Sequence, residues 1–343
     1  MLPRERQLAA IRHGIPDRVP VDAICIENTG PLAAHLGIAE EDVAGRLGLD
    51  GRIVSAAYTG EVRGADRGLG PWGTDAFDDY GTGHTFPLAG AETVGEVDRY
   101  PWPDPRRYDY AAAAAHAREL AATYAVRGPY WVPVFCQGCS LMGMEEALAA
   151  MMLRPAVFEA VVERVTGHVE EHCRRFLAAG GVDILCVGDD FATQRGLMMP
   201  PDLWRRFLKP RLARIFAVGH AAGRPVWFHS CGDITAILPD LVDIGMDVWE
   251  TVQLHALPVS ARDLKREYGR HIAFFGGVNT QRLPWASPVE VAVVVQHCIE
   301  ALGEGGGYIC GPDHHVKPDV SVAATLALFD TATAFSRPGY TRD

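Results

Sequence analysis

A histidine and a cysteine lie two residues apart at the end of an apolar run, in the segment Trp227-Phe228-His229-Ser230-Cys231-Gly232-Asp233. In an extended strand, residues i and i+2 point to the same side, so the His229 imidazole and the Cys231 thiol converge. An imidazole and a thiolate are two of the three protein ligands that a catalytic zinc site uses. Because a single His-x-Cys also arises by chance, the zinc hypothesis depends on a third ligand.

A later segment, Tyr308-Ile309-Cys310-Gly311-Pro312-Asp313-His314-His315, offers that third ligand. Both a thiolate and an imidazole suit zinc, and a catalytic site leaves the fourth position open for water or substrate. The residues alone leave the choice between Cys310 and His314 open.

Acidic and amide side chains supply candidates for other roles. Asp189 and Asp190 follow an apolar run, and neighbouring residues of a strand point to opposite sides, so at most one faces the site. That carboxylate is a candidate general acid or base, or orients a ligand; a helix cap is an equally good interpretation. Glu250 lies in another predicted strand, and Asn279 follows Gly276-Gly277, where it is placed to hold a substrate.

Cysteines 136 and 139 have the C-x-x-C spacing of redox dithiols and zinc knuckles. No second pair lies nearby in the sequence, which disfavours a structural zinc site. We interpret both residues as wall of a pocket at the end of a strand.

Short apolar or β-branched runs alternate with longer amphipathic stretches along the chain. The strands are predicted near Val19–Ile26, Arg52–Tyr58, Tyr130–Cys136, Val182–Val187, Pro225–His229, Asp247–Gln253, His271–Gly276 and Gly307–Cys310. Helices are predicted at about 109–126, 155–179, 202–222, 234–244, 260–268, 287–302 and 319–335. Eight strands separated by helices indicate a parallel sheet, and eight is the number that closes a (β/α)8 TIM barrel. In such a barrel the site lies at the carboxyl ends of the strands, where the candidates above are found.

Two further patterns bear on this α/β architecture. A Gly-x-Asp tripeptide recurs before predicted strands, at Gly48, Gly181 and Gly245, where glycine can end a helix in the left-handed conformation. Residues 60–107 show no periodicity and are rich in Gly, Pro and aromatic residues, which predicts an ordered lid or wall. We expect residues 1–343 to form a single domain with this elaborated loop.

Composition excludes several classes of protein. The chain has 343 residues and a net charge of −11, with 48 % apolar and 22 % charged residues, which argues against disorder and against a nucleic-acid partner. The sequence has no run of about 18 apolar residues, so no membrane span is predicted. The first residues carry charges with no apolar block after them, so neither a secretory signal nor an anchor is expected. Eight sparse cysteines suggest free thiols in the cytoplasm.

Several segments together resemble the uroporphyrinogen decarboxylase superfamily over nearly the whole chain. The resemblance is carried by Asp17-Arg18-Val19-Pro20, Pro101–Pro105, Asp189-Asp190, Phe228–Ile234, Gly276–Gln281 and Gly305–Ile309. It implies a TIM barrel. The decarboxylases of the superfamily carry an arginine-rich segment after the first strand, whereas this chain has Asp22-Ala23-Ile24-Cys25-Ile26-Glu27-Asn28 there.

The resemblance is therefore to the zinc- and cobamide-dependent methyltransferase branch, whose signature is His-x-Cys and a distant Cys. In register with that distant Cys, this chain has His314, not Cys310. The resemblance implies transfer of a methyl group between a small molecule (a methyl ether, amine or thiol) and a corrinoid such as cobalamin. The corrinoid would be carried by a partner protein or bound transiently, and a homodimer is compatible with the sequence. The alternatives are a metal-independent decarboxylase that uses the pair Asp189 and Asp190, and a non-catalytic or metal-storage barrel.

Overall fold

The fold is built on a parallel sheet whose carboxyl ends carry the site. The computed structural model describes residues 1–75 and 83–335. Within them the strands are β1 (Gly51–Ile53), β2 (Ala125–Pro129), β3 (Ile184–Gly188), β4 (Ala192–Thr193), β5 (Gly196–Leu197), β6 (Val226–His229), β7 (Val248–Val252), β8 (Ala273–Val278) and β9 (Tyr308–Pro312). Seven of them form one sheet in the order β1-β2-β3-β6-β7-β8-β9, and β4 and β5 form a separate antiparallel hairpin.

Helices follow the sheet strands, as the alternating pattern predicts. They are α1 (Pro3–Ile11), α2 (Thr29–Leu36), α3 (Val43–Arg46), α4 (Val94–Asp98), α5 (Tyr110–Ala121), α6 (Phe135–Met142), α7 (Met144–Leu153), α8 (Pro155–Ala179), α9 (Pro201–Phe207), α10 (Lys209–Ala221), α11 (Leu238–Asp243), α12 (Ala261–Tyr268), α13 (Pro288–Leu302) and α14 (Val322–Ala334). The helix with the clearest apolar period is confirmed as α8. In the part of the chain that the structure describes, no helix is both long and apolar enough to cross a membrane.

The first predicted strand is not a regular strand in the structure. From Val19–Ile26 only Val21 and Ile26 form isolated parallel bridges, to Cys310 and Val316. The backbone carbonyl of Val21 accepts from Asp50 N at 2.8 Å on its other side. This segment therefore lies between β9 and the start of β1.

The recurring Gly-x-Asp tripeptide has the predicted conformation and an additional function. Gly48, Gly181 and Gly245 all have φ between 76° and 98°. The aspartate that follows two residues later accepts a hydrogen bond from the backbone N–H of Val21, Val126 or Val226, respectively. Each repeat thus ends one segment and caps the amino end of a neighbouring sheet segment.

One predicted strand was placed wrongly, and one predicted helix is divided into two. The predicted strand Tyr130–Cys136 lies instead at β2, and Cys136 is the second residue of α6. The reason is tertiary: the carboxylate of Asp189 accepts from the first N–H groups of α6, which stabilises a helix start that local sequence does not encode. The predicted helix 202–222 is two helices, α9 and α10, that meet at Leu208.

The predicted wall at 60–107 is ordered where it is described, although residues 76–82 lie outside the described range. Trp72 packs edge-to-face on Trp102, with ring centroids 6.2 Å apart, and on His168 of α8 at 4.5 Å. These contacts fix the segment against α8, in agreement with the aromatic content of the sequence.

Candidate metal centre

Three side chains from two strand ends converge at the carboxyl edge of the sheet. His229 is the last residue of β6, Cys231 follows it, and His314 follows β9. One donor atom from each lies within 4.8 Å of the other two. His229 is buried, whereas Cys231 and His314 are only partly buried, so the cluster faces an accessible opening.

The carboxylate of Glu250 fixes which nitrogen of His229 faces the cluster. Glu250 Oε1 lies 2.7 Å from His229 Nδ1, and Oε2 accepts from the indole N–H of Trp227. Burial opposes ionisation of Glu250, but its contacts with His229, Arg127 and Trp227 outweigh burial and lower its pKa. Because an ionised carboxylate only accepts, Nδ1 carries a proton and Nε2 is the nitrogen that faces the cluster. Burial opposes the charged ring, but the contacts with Cys231, Glu250 and Asp190 outweigh burial and raise the pKa of His229, so a metal ion would take the place of the Nε2 proton.

The spacing of His229 and Cys231 and the neutral ring of His314 fit a zinc ion. His229 Nε2 and Cys231 Sγ are 3.4 Å apart, and a tetrahedral zinc with ordinary bond lengths separates such a pair by about 3.5 Å. Burial, together with the charge of His229, lowers the pKa of His314 to about 4, so its ring is neutral at pH 7. Burial raises the pKa of Cys231, and the charge of His229 opposes that shift.

The two adjacent aspartates separate as the strand geometry predicts. Asp190 Oδ1 accepts from the backbone N–H of Cys231 at 2.6 Å and lies 3.8 Å from His229 Nε2. Asp189 is fully buried and accepts from the N–H groups of Val134, Phe135 and Cys136. Burial raises the pKa of Asp189 to about 7, and those amides oppose the shift. Asp190 therefore belongs to the cluster, and Asp189 caps α6.

Cys310 and Asn279 lie away from the cluster. Cys310 is fully buried in the layer between the sheet and its helices, where burial raises its pKa to about 12. The Asn279 side-chain oxygen accepts from Gln281 N at 2.9 Å and closes a turn after β8. The structure therefore brings His314, and not Cys310, to His229 and Cys231.

The C-x-x-C pair also differs from its predicted position. Cys136 and Cys139 both lie in α6, not at a strand end, and each is at most 1 % exposed. Desolvation raises the pKa of Cys136 well above the ordinary value. These thiols pack in the core and do not line an opening.

Sequence reasoning missed several groups around the cluster. Thr251 has φ of +71°, unusual for a β-branched residue, at the irregular register between Glu250 and Val252, and its hydroxyl contacts the Cys231 thiol. The ring of Trp131 packs edge-on to His229 with centroids 5.3 Å apart. His255 Nδ1 lies 3.3 Å from the buried Asp313. Trp131 lies in the apolar run that was predicted as a strand at 130–136, but no local sequence pattern indicated that Thr251 or His255 lies near the cluster.

A buried charge network continues from Glu250 into the sheet interior. Arg127 is fully buried, pairs with Asp22, and lies over the Trp227 ring at 4.8 Å. Its Nε is 4.0 Å from Glu250 Oε2 and has no hydrogen-bond partner among the described residues. Gln7 donates to the same Asp22 at 2.8 Å. The orientation of His229 thus rests on the charged side chains of Glu250, Arg127 and Asp22, which the neutral amide of Gln7 connects to α1.

Residues 91–335 match the family model for uroporphyrinogen decarboxylase (URO-D), which is more than half of the chain. The chain belongs to this family. A solved methyltransferase from Methanosarcina mazei superposes with a TM-score of 0.68 at 19 % identity, over 97 % of this chain and 98 % of that one. That similarity establishes the shared fold.

A second relative has a curated description. The methylcobamide:CoM methyltransferase MtaA of Methanosarcina barkeri is 25 % identical over 136 residues, which are 38 % of this chain and 38 % of that protein. Over these 136 residues, this URO-D member is therefore similar to a curated methyltransferase.

Proposed function

We propose that this URO-D family member is a zinc-dependent methyltransferase that moves a methyl group between a small molecule and a corrinoid. The observation that carries the proposal is the convergence of one thiol and two imidazoles within 4.8 Å at the accessible end of the sheet. A set of three ligands with an open fourth position is typical of catalytic zinc. The MtaA relative, which is a methylcobamide:CoM methyltransferase, supports the choice of reaction.

In this proposal His229, Cys231 and His314 would hold the zinc ion, which would supply Lewis-acid chemistry at the thiol, amine or ether of the substrate. Glu250 holds the proton on His229 Nδ1 so that Nε2 remains a ligand. Asp190, 3.8 Å from His229 Nε2, accepts or returns the proton of the substrate heteroatom. We place Asp189 and Asn279 in structural roles, as a helix cap and a turn.

The surroundings of the opening support the remaining assignments. Trp131 and Tyr130 form an aromatic wall beside His229, against which a flat methyl carrier such as a corrinoid, presented by a partner protein, is able to approach. We further propose that residues 20–22, which are hydrogen-bonded to Cys310 and to Asp50, act as the eighth strand of one closed barrel domain.

The decarboxylase alternative needs cationic side chains that hold carboxylates beside the proton donor. The ionisable side chains beside His229, among the described residues, are instead Asp190, Cys231, Glu250 and His314. This composition disfavours a polycarboxylate substrate and favours a cation between the donors.

The test combines metal analysis with a spectroscopic assay of methyl transfer to or from free cobalamin. We expect about one zinc in this site of the wild type, and loss of both that zinc and the activity in Cys231→Ala and in His314→Ala. Cys310→Ala is the matched control, since it removes a thiol from β9, the strand that precedes His314, but not from the cluster, and should keep both. Metal-free wild type with transfer activity that is unchanged in Cys231→Ala would overturn the proposal.

A further inference from the structure

A second group of metal-ligand side chains lies on the rim of the sheet, beside the centre described above, where the ring centroids of His314 and His315 are 4.7 Å apart. The segment around Ile26 pairs in parallel with the segment around Val316. Val316 N donates to Cys25 O at 3.0 Å, and Glu27 N donates to Val316 O at 2.8 Å. Because side chains alternate along paired segments, Cys25 and Glu27 project to one side, as do their neighbours His315 and Lys317.

The donor atoms of this group are close together. The Cys25 thiol, a Glu27 carboxylate oxygen and a His315 ring nitrogen all lie within 4.8 Å of one another. Glu27 Oε1 is 2.9 Å from His315 Nδ1, and the two side chains are 29 % and 30 % exposed. Backbone pairing holds both segments in place, so bringing the donors together needs little further ordering.

We propose that Cys25, Glu27 and His315 form a second metal site that takes a divalent cation of the zinc class. One sulfur, one nitrogen and one oxygen donor suit a borderline-soft cation and disfavour Mg²⁺ and Ca²⁺, which prefer oxygen alone. Three protein ligands at a partly exposed position leave a coordination place for water or for an anionic group of a ligand. The site shares no residue with the His229 centre and is independent of the methyltransferase proposal.

Lys317 sets the affinity of this site. Its ammonium lies 2.7 Å from Glu27 Oε1, the same oxygen that contacts His315. A cation that binds Glu27 must displace this ammonium or share the carboxylate with it, and binding also releases the thiol proton of Cys25. Lys317→Gln should therefore raise the affinity of the rim site about three- to tenfold, since one positive charge next to the cation is removed.

The experiment counts metal ions in the full-length chain. Apo protein is dialysed against Co²⁺ or Zn²⁺ at neutral pH, bound metal is measured by elemental analysis, and the thiolate-to-Co²⁺ absorption band is recorded. We expect two ions per wild-type chain, one in Cys25→Ser, one in Cys231→Ala and none in the double variant. Each single variant should also lose about half of the thiolate-to-Co²⁺ band. Cys173→Ala, which removes a buried thiol of α8, is the control and should bind two.

The outcomes separate the two sites. A Cys25→Ser chain that still binds two ions, or a Cys231→Ala chain that binds none, would overturn the rim site. A rim affinity that does not increase in Lys317→Gln would also count against it. If instead Cys231→Ala keeps the full content while Cys25→Ser loses one ion, the rim site stands and the proposed catalytic centre fails.

Discussion

Replacement of Glu250 by glutamine tests whether a buried carboxylate controls the proposed centre through the tautomer of His229. Both Glu250 oxygens accept: Oε1 from His229 Nδ1 at 2.7 Å, and Oε2 from the Trp227 indole N–H. In glutamine, one of the two acceptor oxygens is replaced by an NH2 group. Either the His229 Nδ1–H or the Trp227 indole N–H would then face another donor. The indole is a donor only and keeps its N–H proton, whereas the imidazole can move its proton from one ring nitrogen to the other.

The expected result is that His229 moves its proton to Nε2 and accepts through Nδ1 from the side-chain amide of the introduced glutamine. The atom that faces Cys231 at 3.4 Å then has no lone pair for a metal. Loss of such an orienting partner weakens metal binding about 10–100-fold, which corresponds to about 1.4–2.8 kcal/mol. Competition with a chromophoric chelator measures the affinity, and long-range ¹⁵N NMR of the imidazole reports the tautomer in the metal-free protein.

Asp183→Asn is a matched control for this experiment. Asp183 is also a buried carboxylate with a cationic partner, Arg4, but it lies at the amino end of the sheet. It should change stability without changing zinc affinity. If Glu250→Gln folds normally, keeps the proton of His229 on Nδ1 and binds zinc within about twofold of the wild type, the tautomer argument is refuted.

Three other predictions concern stability. Arg127→Met leaves the buried Asp22 without its cation and should lower the free energy of unfolding by about 3–5 kcal/mol; urea denaturation measures this, and adding Asp22→Asn should restore part of the loss. Asp183→Asn removes the Arg4 pair and should cost about 1–2 kcal/mol in the same assay. Burial lowers the pKa of His168 to about 4 from 6.5, so the unfolded chain binds more protons between these values. Stability should therefore fall by up to about 3 kcal/mol from pH 6.5 to 4, and His168→Gln should flatten that slope in thermal melts.

Local sequence signals predicted the parts of the fold that depend on local physics. The apolar period of α8 and the left-handed glycines at 48, 181 and 245 are both confirmed. The strand near Tyr130 was misplaced because its apolar run resembles a strand, whereas the helix start at Phe135 depends on Asp189, more than fifty residues away in the chain. Such a cap is visible only once β3 lies next to β2.

The candidate site shows the same division. Strand alternation correctly separated Asp190 from Asp189, and the same rule applies to Cys310: Ile309 faces the inner layer with Phe275, so Cys310 points outward under the helices. His314 lies beyond the strand, where alternation no longer applies, so the sequence left the third ligand open. Thr251 was missed because its positive φ comes from the irregular pairing of β7 with β8.

The interior charges are more readily explained by the site than by stability. Replacing a buried ion pair with well-packed apolar residues is often neutral or stabilising, so Asp22 and Arg127 are not needed to hold this sheet together. Arg127, however, places its charge within 4.0 Å of Glu250, and together with His229 and Trp227 it lowers the pKa of Glu250 and so favours one tautomer of His229. An apolar residue at 127 would remove one of the contacts that oppose burial and so raise the pKa of Glu250, although its contacts with His229 and Trp227 would remain. We therefore interpret the side chains of Gln7, Asp22, Arg127 and Glu250 as a network that orients His229 for metal binding.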